Sequence, residues 1–473
     1  MLRILFINPP YARFMGTGNS QFPLSFGSMA TILSKNNFEV GIYDADFDEN
    51  FIGCTISYES SFLSQHKIPK AASEKHHHVW LEIERVLSDF QPNVVAITSM
   101  TNKFPMTSRI ASIAKQMNED TKVVIGGHHS SIFGPKLLMD RNIDYAVIGE
   151  GELTFLELAQ SLNGGTPSVS HIKGLVYKER EEIVVNPPRE FISDLDLLPI
   201  ADRSLILNTN YVSQNNIMTS RGCPFNCSYC GAQVIWGPKV RWQRVEKVIE
   251  EIKYLLSVSN SRSISFWDDS FTANKSYLKA LLKEVELQGI SFNCITRLDL
   301  VNDDILKDLK KAGCNSILFG IESGRDAILE AMDKRMNRGF IKNQIRMVAD
   351  LGISWTGFFM MGYPGETKED MLATLEFMQE LNPDYAEINL FNPLPGTPIW
   401  QELEARGKVS PDMDFCKFSQ ASTNNFYVEE GITRGDFIQL ALHIARAFDS
   451  HNKKRARTHF IRKTLSPISN FLK

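Results

Sequence analysis

The sequence predicts two α/β domains in tandem: a doubly wound parallel sheet, then a six-unit partial parallel barrel, closed by a helical C-terminal region. Three observations predict it. Short, continuous apolar runs alternate with helical patterns over roughly the first 160 residues, as strands buried on both faces of a parallel sheet require. From residue 213 a strand-plus-helix unit of roughly 34 residues recurs six times, long enough for one strand and one crossover helix. The length, 473 residues, suits two or three domains.

The elements follow in order. Arg3–Asn8 reads as the first strand, ending at Asn8-Pro9-Pro10. Leu24–Lys35 reads as a helix with apolar Leu24, Met29, Ile32 and Leu33. Glu39–Tyr43, Val94–Ser99, Lys122–Ile125 and Tyr145–Ile148 complete the strands of a domain spanning 1–165. Ligands of doubly wound sheets sit at the carboxyl ends of the strands. That places Asn8 and Pro9, Ser99, Gly126 and Gly127, and Gly149 and Glu150 at the candidate site. Gly126-Gly127 permits close backbone approach to a bulky ligand. No Gly-x-Gly-x-x-Gly follows the first strand, so the dinucleotide signature is missing. A connector covers 166–212, punctuated by Pro187-Pro188 and Pro199, with a hairpin expected from Ile172–Tyr177 and Ile183–Asn186.

The barrel, 213–405, takes its strands from Ile217–Thr219, Ser263–Trp267, Phe292–Thr296, Ser316–Phe319, Thr356–Met361 and Tyr385–Leu390. Val245–Leu256 and Ser276–Leu287 are two of its helices. Function in such a barrel sits at the carboxyl ends of the strands. Residues 406–473 are expected to be helical and to carry the basic run Lys453-Lys454-Arg455-Ala456-Arg457, read as a solvated face.

Composition removes several classes. Lys+Arg 51 against Asp+Glu 55 gives a formal net charge of −4, against the basic excess of a dedicated nucleic-acid binder. Hydrophobic residues at 43% and charged residues at 22% are globular values. No apolar run reaches the ~20 residues a membrane helix needs. The first residues read as a buried strand, not a signal peptide. Seven cysteines, an odd number, without an export signal argue against a disulfide scaffold and for a cytoplasmic protein. His76-His77-His78 is read as a polar surface run, because consecutive residues cannot all face one ion.

Cys223, Cys227 and Cys230 lie in Arg221-Gly222-Cys223-Pro224-Phe225-Asn226-Cys227-Ser228-Tyr229-Cys230, directly after the first barrel strand. Structural zinc wants four ligands, and no fourth Cys or His is near. Three closely spaced thiolates instead suit a [4Fe-4S] cluster with one iron left open to a small molecule. Cys54, Cys294, Cys314 and Cys416 are scattered and read as small core or surface residues.

This Cys-x3-Cys-x2-Cys motif resembles that of the radical S-adenosylmethionine (SAM) superfamily, over about residues 213–400. The resemblance implies that Tyr229 lies by the adenine. It implies that Trp267-Asp268-Asp269-Ser270, with Asp268 and Asp269, takes the SAM amino group, in place of the more usual glycine-rich motif. Gly320-Ile321-Glu322-Ser323 looks like the ribose or carboxylate contact, through Glu322. Met361-Gly362-Tyr363-Pro364-Gly365-Glu366-Thr367 resembles the Gly-x-Pro-Gly-Glu-Thr loop, placing Gly365 at SAM. Arg297, at the end of the third strand, is expected to partner the SAM carboxylate, since Arg binds carboxylates bidentately.

The first domain resembles the cobalamin-binding domain fused to many such enzymes, through Phe22-Pro23-Leu24-Ser25, Gly126-Gly127-His128-His129 and Asp144-Tyr145-Ala146-Val147-Ile148-Gly149-Glu150-Gly151-Glu152. The Asp-x-His-x-x-Gly signature of a histidine cobalt ligand is missing; His128 is the loop histidine to consider first. The two resemblances imply a cobalamin-dependent radical SAM enzyme that methylates an unactivated carbon or phosphorus centre of a small-molecule or peptide biosynthetic substrate. They imply a 5′-deoxyadenosyl radical, methylcobalamin, and a flavodoxin- or ferredoxin-type electron donor. Three alternatives remain at this level: a non-methylating cyclase, rearrangement or dehydration enzyme with the same cofactors; a methylthiotransferase, disfavoured because only Cys54 precedes Cys223; and a non-enzymatic cobalamin or redox sensor. Asn389, Phe391, Asn392 and Trp400 are possible substrate contacts or barrel-end packing.

Overall fold

The computed structural model describes residues 1–17, 21–51, 56–208, 211, 215–259, 261–415, 418–428 and 431–469, and side chains as far as 457. Cys54 and Cys416 therefore lie outside the described residues. The first sheet has seven strands: β1 (Arg3–Asn8), β2 (Glu39–Asp44), β3 (Val94–Thr98), β4 (Lys122–Gly126), β5 (Tyr145–Val147), β6 (Leu175–Glu179) and β7 (Glu182–Val185). Their order is β2-β1-β3-β4-β5-β6-β7. The first five are mutually parallel. Ile4, Leu5, Phe6 and Ile7 of β1 are all buried, because helices cover both faces. The helix Leu24–Lys35 forms as expected and buries Phe26, Ala30 and Leu33. Gly27 in it is required: a Cβ there would stand 2.4 Å from the Phe22 ring and 2.7 Å from Ala201.

The connector hairpin does not stand apart. β6 pairs antiparallel with β5, and β7 with β6, so the hairpin extends the first sheet at its edge.

A short antiparallel pair follows: β9 (Ser220–Arg221) with β10 (Arg241–Trp242), just after β8 (Asn216–Ile217). The sequence expectation ran β8 on to Thr219. Instead the strand stops two residues in, because Thr219 turns its amide and hydroxyl to Asp268. The barrel continues with β11 (Ser263–Phe266), β12 (Ser291–Thr296), β13 (Cys314–Glu322), β14 (Ser354–Met361) and β15 (Tyr385–Leu390). The order β15-β14-β13-β12-β11-β8 is an open run of six strands in chain order, all parallel.

Between barrel and helices lies the largest core, which includes Cys294 and Cys314. The described residues between 406 and 433 are turns, bends and irregular chain rather than α-helix. The helix Arg434–Ser469 is patterned where it meets the barrel, burying Phe437, Leu440, Ala441, Ile444, Ala445 and Phe448. It also reaches the first domain: Asp449 accepts from the amides of Tyr58 and Glu59 at 2.9 and 3.2 Å, and Arg446 pairs with Glu59 at 2.7 Å. In the basic run Lys453, Lys454 and Arg457 are exposed, while Arg455 pairs with Asp384. His77 caps the helix His78–Phe90, and His76 and His78 are exposed.

Candidate active site

The cysteine loop leaves β9 and is clasped by β10. Gly222 has φ +105°, and a Cβ there would meet the Lys239 carbonyl at 3.0 Å, so only glycine makes this turn without strain. The loop is fixed by backbone bonds from Ser228 to Met332 (3.1 Å), from Ile399 to Ser228 (3.1 Å) and from Cys230 to Cys227 (3.0 Å). Cys223 and Cys227 are buried and Cys230 half-buried; all three are free thiols. Burial pushes the Cys230 thiol up to about 11. Burial also raises Cys227, opposed by Lys334 and Arg297. Among the described residues no three His, Cys, Asp or Glu converge as a single ion would need. Three cysteines held on one loop without disulfides fit the wider spread of an iron–sulfur cube.

The barrel strand ends surround this loop. Asp268 follows β11 and is completely buried. It accepts from the Thr219 amide at 3.1 Å, the Thr219 hydroxyl at 2.8 Å, and the Ser220 hydroxyl. Asp268 thus ties the end of β11 to the strand leading into the cysteine loop, mainly through Oδ1. Asp269 keeps one buried oxygen, Oδ2, without a partner. Burial, and then Asp268, push the Asp269 carboxyl up to about 6.

Arg297 follows β12. It forks onto Asp299 at 2.9 and 2.8 Å, donates to the Lys334 carbonyl at 2.7 Å, lies 3.7 Å over the Phe225 ring, and reaches Cys227 Sγ at 3.3 Å. Its nitrogens are thus engaged by the loop and by Asp299 rather than free for a carboxylate. Glu322 ends β13 just past a register slip between Gly320 and Glu322, with φ +68°. Bulges of this kind re-aim a side chain. Here it meets Lys334 Nζ at 2.9 Å, and that nitrogen lies 3.3 Å from the Tyr229 hydroxyl.

Gly365 has φ +87° with open space where a Cβ would be. Beside it Glu366 is buried. Its Oε2 accepts the amides of Gly362 (2.6 Å) and Tyr363 (3.0 Å), while Oε1 has no partner. Lys334 was missed at the sequence level. It lies in Met332-Asp333-Lys334-Arg335 between two helices, flanked by left-handed Asp333 and Arg335, and no spacing marks it. Phe391 and Trp400 are buried and pack with Tyr363, Phe418 and Tyr427 as barrel-end core.

A cavity of about 580 Å³ opens where the first sheet meets the barrel. One wall carries Asn8, Thr98, Gly126, Gly127, Gly149 and Glu150; the facing wall carries Met218, Arg221, Trp236 and Trp267. Phe22, Pro23, Leu24 and Ser25 also border it. Its size and largely apolar lining suit an organic ligand. Pro9 and Ser99 do not border it. The Pro9 carbonyl accepts from Lys103 at 3.0 Å, and Ser99, fully buried, accepts the His129 amide at 2.9 Å. Both stand behind the wall. Glu150 borders the cavity, but its carboxylate is held by Arg221 and Arg241.

His128 lines the cavity with both ring nitrogens buried and unpartnered. Burial lowers it to about 4, so the ring is neutral at pH 7. An orphaned neutral imidazole on the wall of a roomy cavity fits a site for a large ligand. His129 instead stacks on Phe104 at 4.6 Å between centroids.

Residues 217–378 match the Radical SAM superfamily, and residues 17–159 match the B12 binding domain. An uncharacterised methyltransferase of Pyrococcus horikoshii is 36% identical over 328 residues, 68% of this chain and 71% of the relative. The cytidylyl-2-hydroxyethylphosphonate methyltransferase of Streptomyces wedmorensis is 25% identical over 457 residues, 87% of this chain and 83% of the relative. The solved radical S-adenosylmethionine methyltransferase TsrM of Kitasatospora setae, with cobalamin and a [4Fe-4S] cluster bound, is similar in fold, with a TM-score of 0.65 at 18% identity over 86% of this chain and 75% of that one.

Proposed function

The chain belongs to the radical SAM superfamily and carries a B12-binding domain, and from that premise we propose that it is a cobalamin-dependent methyltransferase acting on a carbon or phosphorus centre too unreactive for polar methylation. One observation carries the reading. The carboxyl ends of the first sheet and the approach to the cysteine loop share a single cavity, with Gly149 on one wall and Arg221, two residues before Cys223, on the other.

When bound, a [4Fe-4S] cluster with SAM would supply a carbon-centred radical, and cobalamin would supply the methyl group. The chain's own residues do the rest. Cys223, Cys227 and Cys230 would hold the cluster, and Arg297 braces the Cys227 sulfur and Phe225. Tyr229, Asp269, Glu322 and Gly365 bound the place for SAM. Asp268 acts one step away, through Thr219 and Ser220. Lys334 compensates the buried charge of Glu322. Asn8, Gly126, Gly127 and Gly149 border the place for cobalamin, and Phe22 and Trp267 add apolar wall to it. Among the described residues no helix is long and apolar enough to cross a membrane. A cytoplasmic reaction, with a small-molecule substrate and electrons from a flavodoxin- or ferredoxin-type donor, follows from this chemistry.

The test is anaerobic reconstitution with iron, sulfide and hydroxocobalamin, then incubation with labelled SAM, dithionite and cell extract. Methyl transfer yields S-adenosylhomocysteine together with 5′-deoxyadenosine and a labelled product. 5′-Deoxyadenosine alone would transfer the assignment to a rearranging enzyme, and ligand binding with neither product would make the chain a sensor.

A further inference from the structure

We propose that a buried four-residue ion-pair group, Glu150 and Glu152 with Arg221 and Arg241, is a clamp that sets the cysteine loop at a fixed distance from the cobalamin cavity. Arg221 is then a positioning residue for both cofactors at once. The inference rests on the function proposed above and adds to it how the two halves of the site are held in register.

The two sides of the clamp come from different domains. Glu150 directly follows Gly149, a cavity residue, and Glu152 lies in the first turn of the helix Gly151–Leu162. Arg221 is the last residue of β9, separated from Cys223 only by Gly222, and Arg241 pairs with it across β10. Arg221 Nη1 donates to Glu150 Oε1 at 2.6 Å while its Nη2 donates to Glu152. Arg241 Nη1 donates to Glu150 Oε2 at 2.8 Å and to the Ile192 carbonyl at 2.7 Å; the Ile192 amide returns a bond to Glu150 at 2.6 Å. Side-chain exposure is 2% for Glu150, 6% for Glu152, 12% for Arg221 and 6% for Arg241. Trp236 lies under the Arg221 guanidinium at 5.1 Å, and Phe191 under that of Arg241 at 5.0 Å.

Two negative and two positive groups therefore neutralise one another away from water. Such groups add little stability over an apolar cluster of equal volume, because desolvation offsets their attraction. What they add is direction: the planar fork of Arg221 satisfies two carboxylates only in one orientation, which a lysine cannot reproduce. Gly222 alone separates them, in a left-handed turn (φ +105°) closed in by the Lys239 carbonyl, so the orientation of Arg221 passes directly to Cys223. On the other side, Glu150 carries the same constraint to Gly149 at the cavity rim.

The experiment compares full-length wild type with Arg221→Lys and Glu152→Gln, each reconstituted with iron, sulfide and hydroxocobalamin and reduced until cluster and cobalt(II) are both paramagnetic. Iron, cobalamin and unfolding temperature are measured first. Pulsed dipolar electron paramagnetic resonance then gives the cluster–cobalt distance distribution. Wild type should give one narrow distribution. Both variants should keep iron and cobalamin at wild-type content yet show a distribution at least twofold broader. Variants that keep both cofactors and the wild-type distribution overturn the clamp. A wild-type chain that takes up iron but no cobalamin overturns the proposed function instead. If Arg221→Lys fails to fold, the milder Glu152→Gln, which weakens one arm of the fork by removing its charge, decides.

Discussion

The guanidinium of Arg297 reaches the sulfur of Cys227 at 3.3 Å while the same side chain forks onto Asp299. A cation so placed favours the thiolate that iron binding needs, and Phe225 beneath it fixes the loop. Arg297→Lys keeps the charge but cannot make the fork, the sulfur contact and the Lys334 carbonyl bond together. The chain should still fold, but after anaerobic gel filtration it should hold about half the iron and sulfide of wild type, or less. Full iron content in the variant would show that Arg297 does not brace the cluster loop.

Lys334 and Glu322 form a buried pair, with 5% and 11% of their side chains exposed. Removing one partner strands the other charge, which costs about 3–5 kcal/mol in comparable sites. Lys334→Met and Glu322→Gln should each lower stability on that scale. The double variant should lose clearly less than the sum. Chemical denaturation of the four proteins gives the coupling, and additive losses would mean the two charges act independently.

Glu366 ties stability to pH. Unfolded, a glutamate titrates near about 4.3; in the fold, burial pushes this one up to about 8. Between those values the folded chain binds more proton than the unfolded one. The stability this group contributes is therefore full below about pH 4 and falls as pH rises towards 8, by at most about 1.4 kcal/mol per unit. Glu366→Gln mimics the neutral acid and can still accept the two amides. The variant should gain on wild type as pH rises from 6 to 9, read as unfolding midpoints; parallel curves would remove Glu366 as the cause.

His128 has two buried nitrogens with no partner. Each unmet polar group of this kind costs about 1–3 kcal/mol, so His128→Leu should stabilise the cofactor-free chain. The same change should weaken hydroxocobalamin binding about tenfold, equivalent to about 1.4 kcal/mol, if the ring meets the ligand. Equilibrium dialysis and a thermal melt read the two effects. Unchanged affinity would place the ring outside the contact.

The strands of both sheets were largely legible in the sequence because apolar runs and their spacing are local signals. β1, β3 and β4 fall where their apolar runs do, and the helix Leu24–Lys35 matches to the residue. The cysteine loop was legible for the same reason. What escaped depends on distance in the chain. β9 and β10 are two residues each, too short to leave a periodic signal, and they pair Arg221 with Arg241 across 20 residues of chain. Nothing near Asp268 shows that its oxygens serve Thr219, 49 residues earlier. Lys334 becomes visible only when the bulge at Glu322 aims a carboxylate at it. Pro9 and Ser99 were assigned from strand ends alone, and a strand end does not say which neighbouring residues the next helix covers.

The helix Arg434–Ser469 gives the protein a timetable. Phe437 and Phe448 complete the core that also holds Phe62, and Asp449 caps the helix Tyr58–Ser64. The cysteine loop ends at Cys230, so it is synthesised well before its surroundings can close. At roughly 5–20 residues per second, the ribosome takes on the order of 10–40 s to travel from Cys230 to Phe448. During that interval the barrel lacks its last wall, although the cysteine loop has already been made.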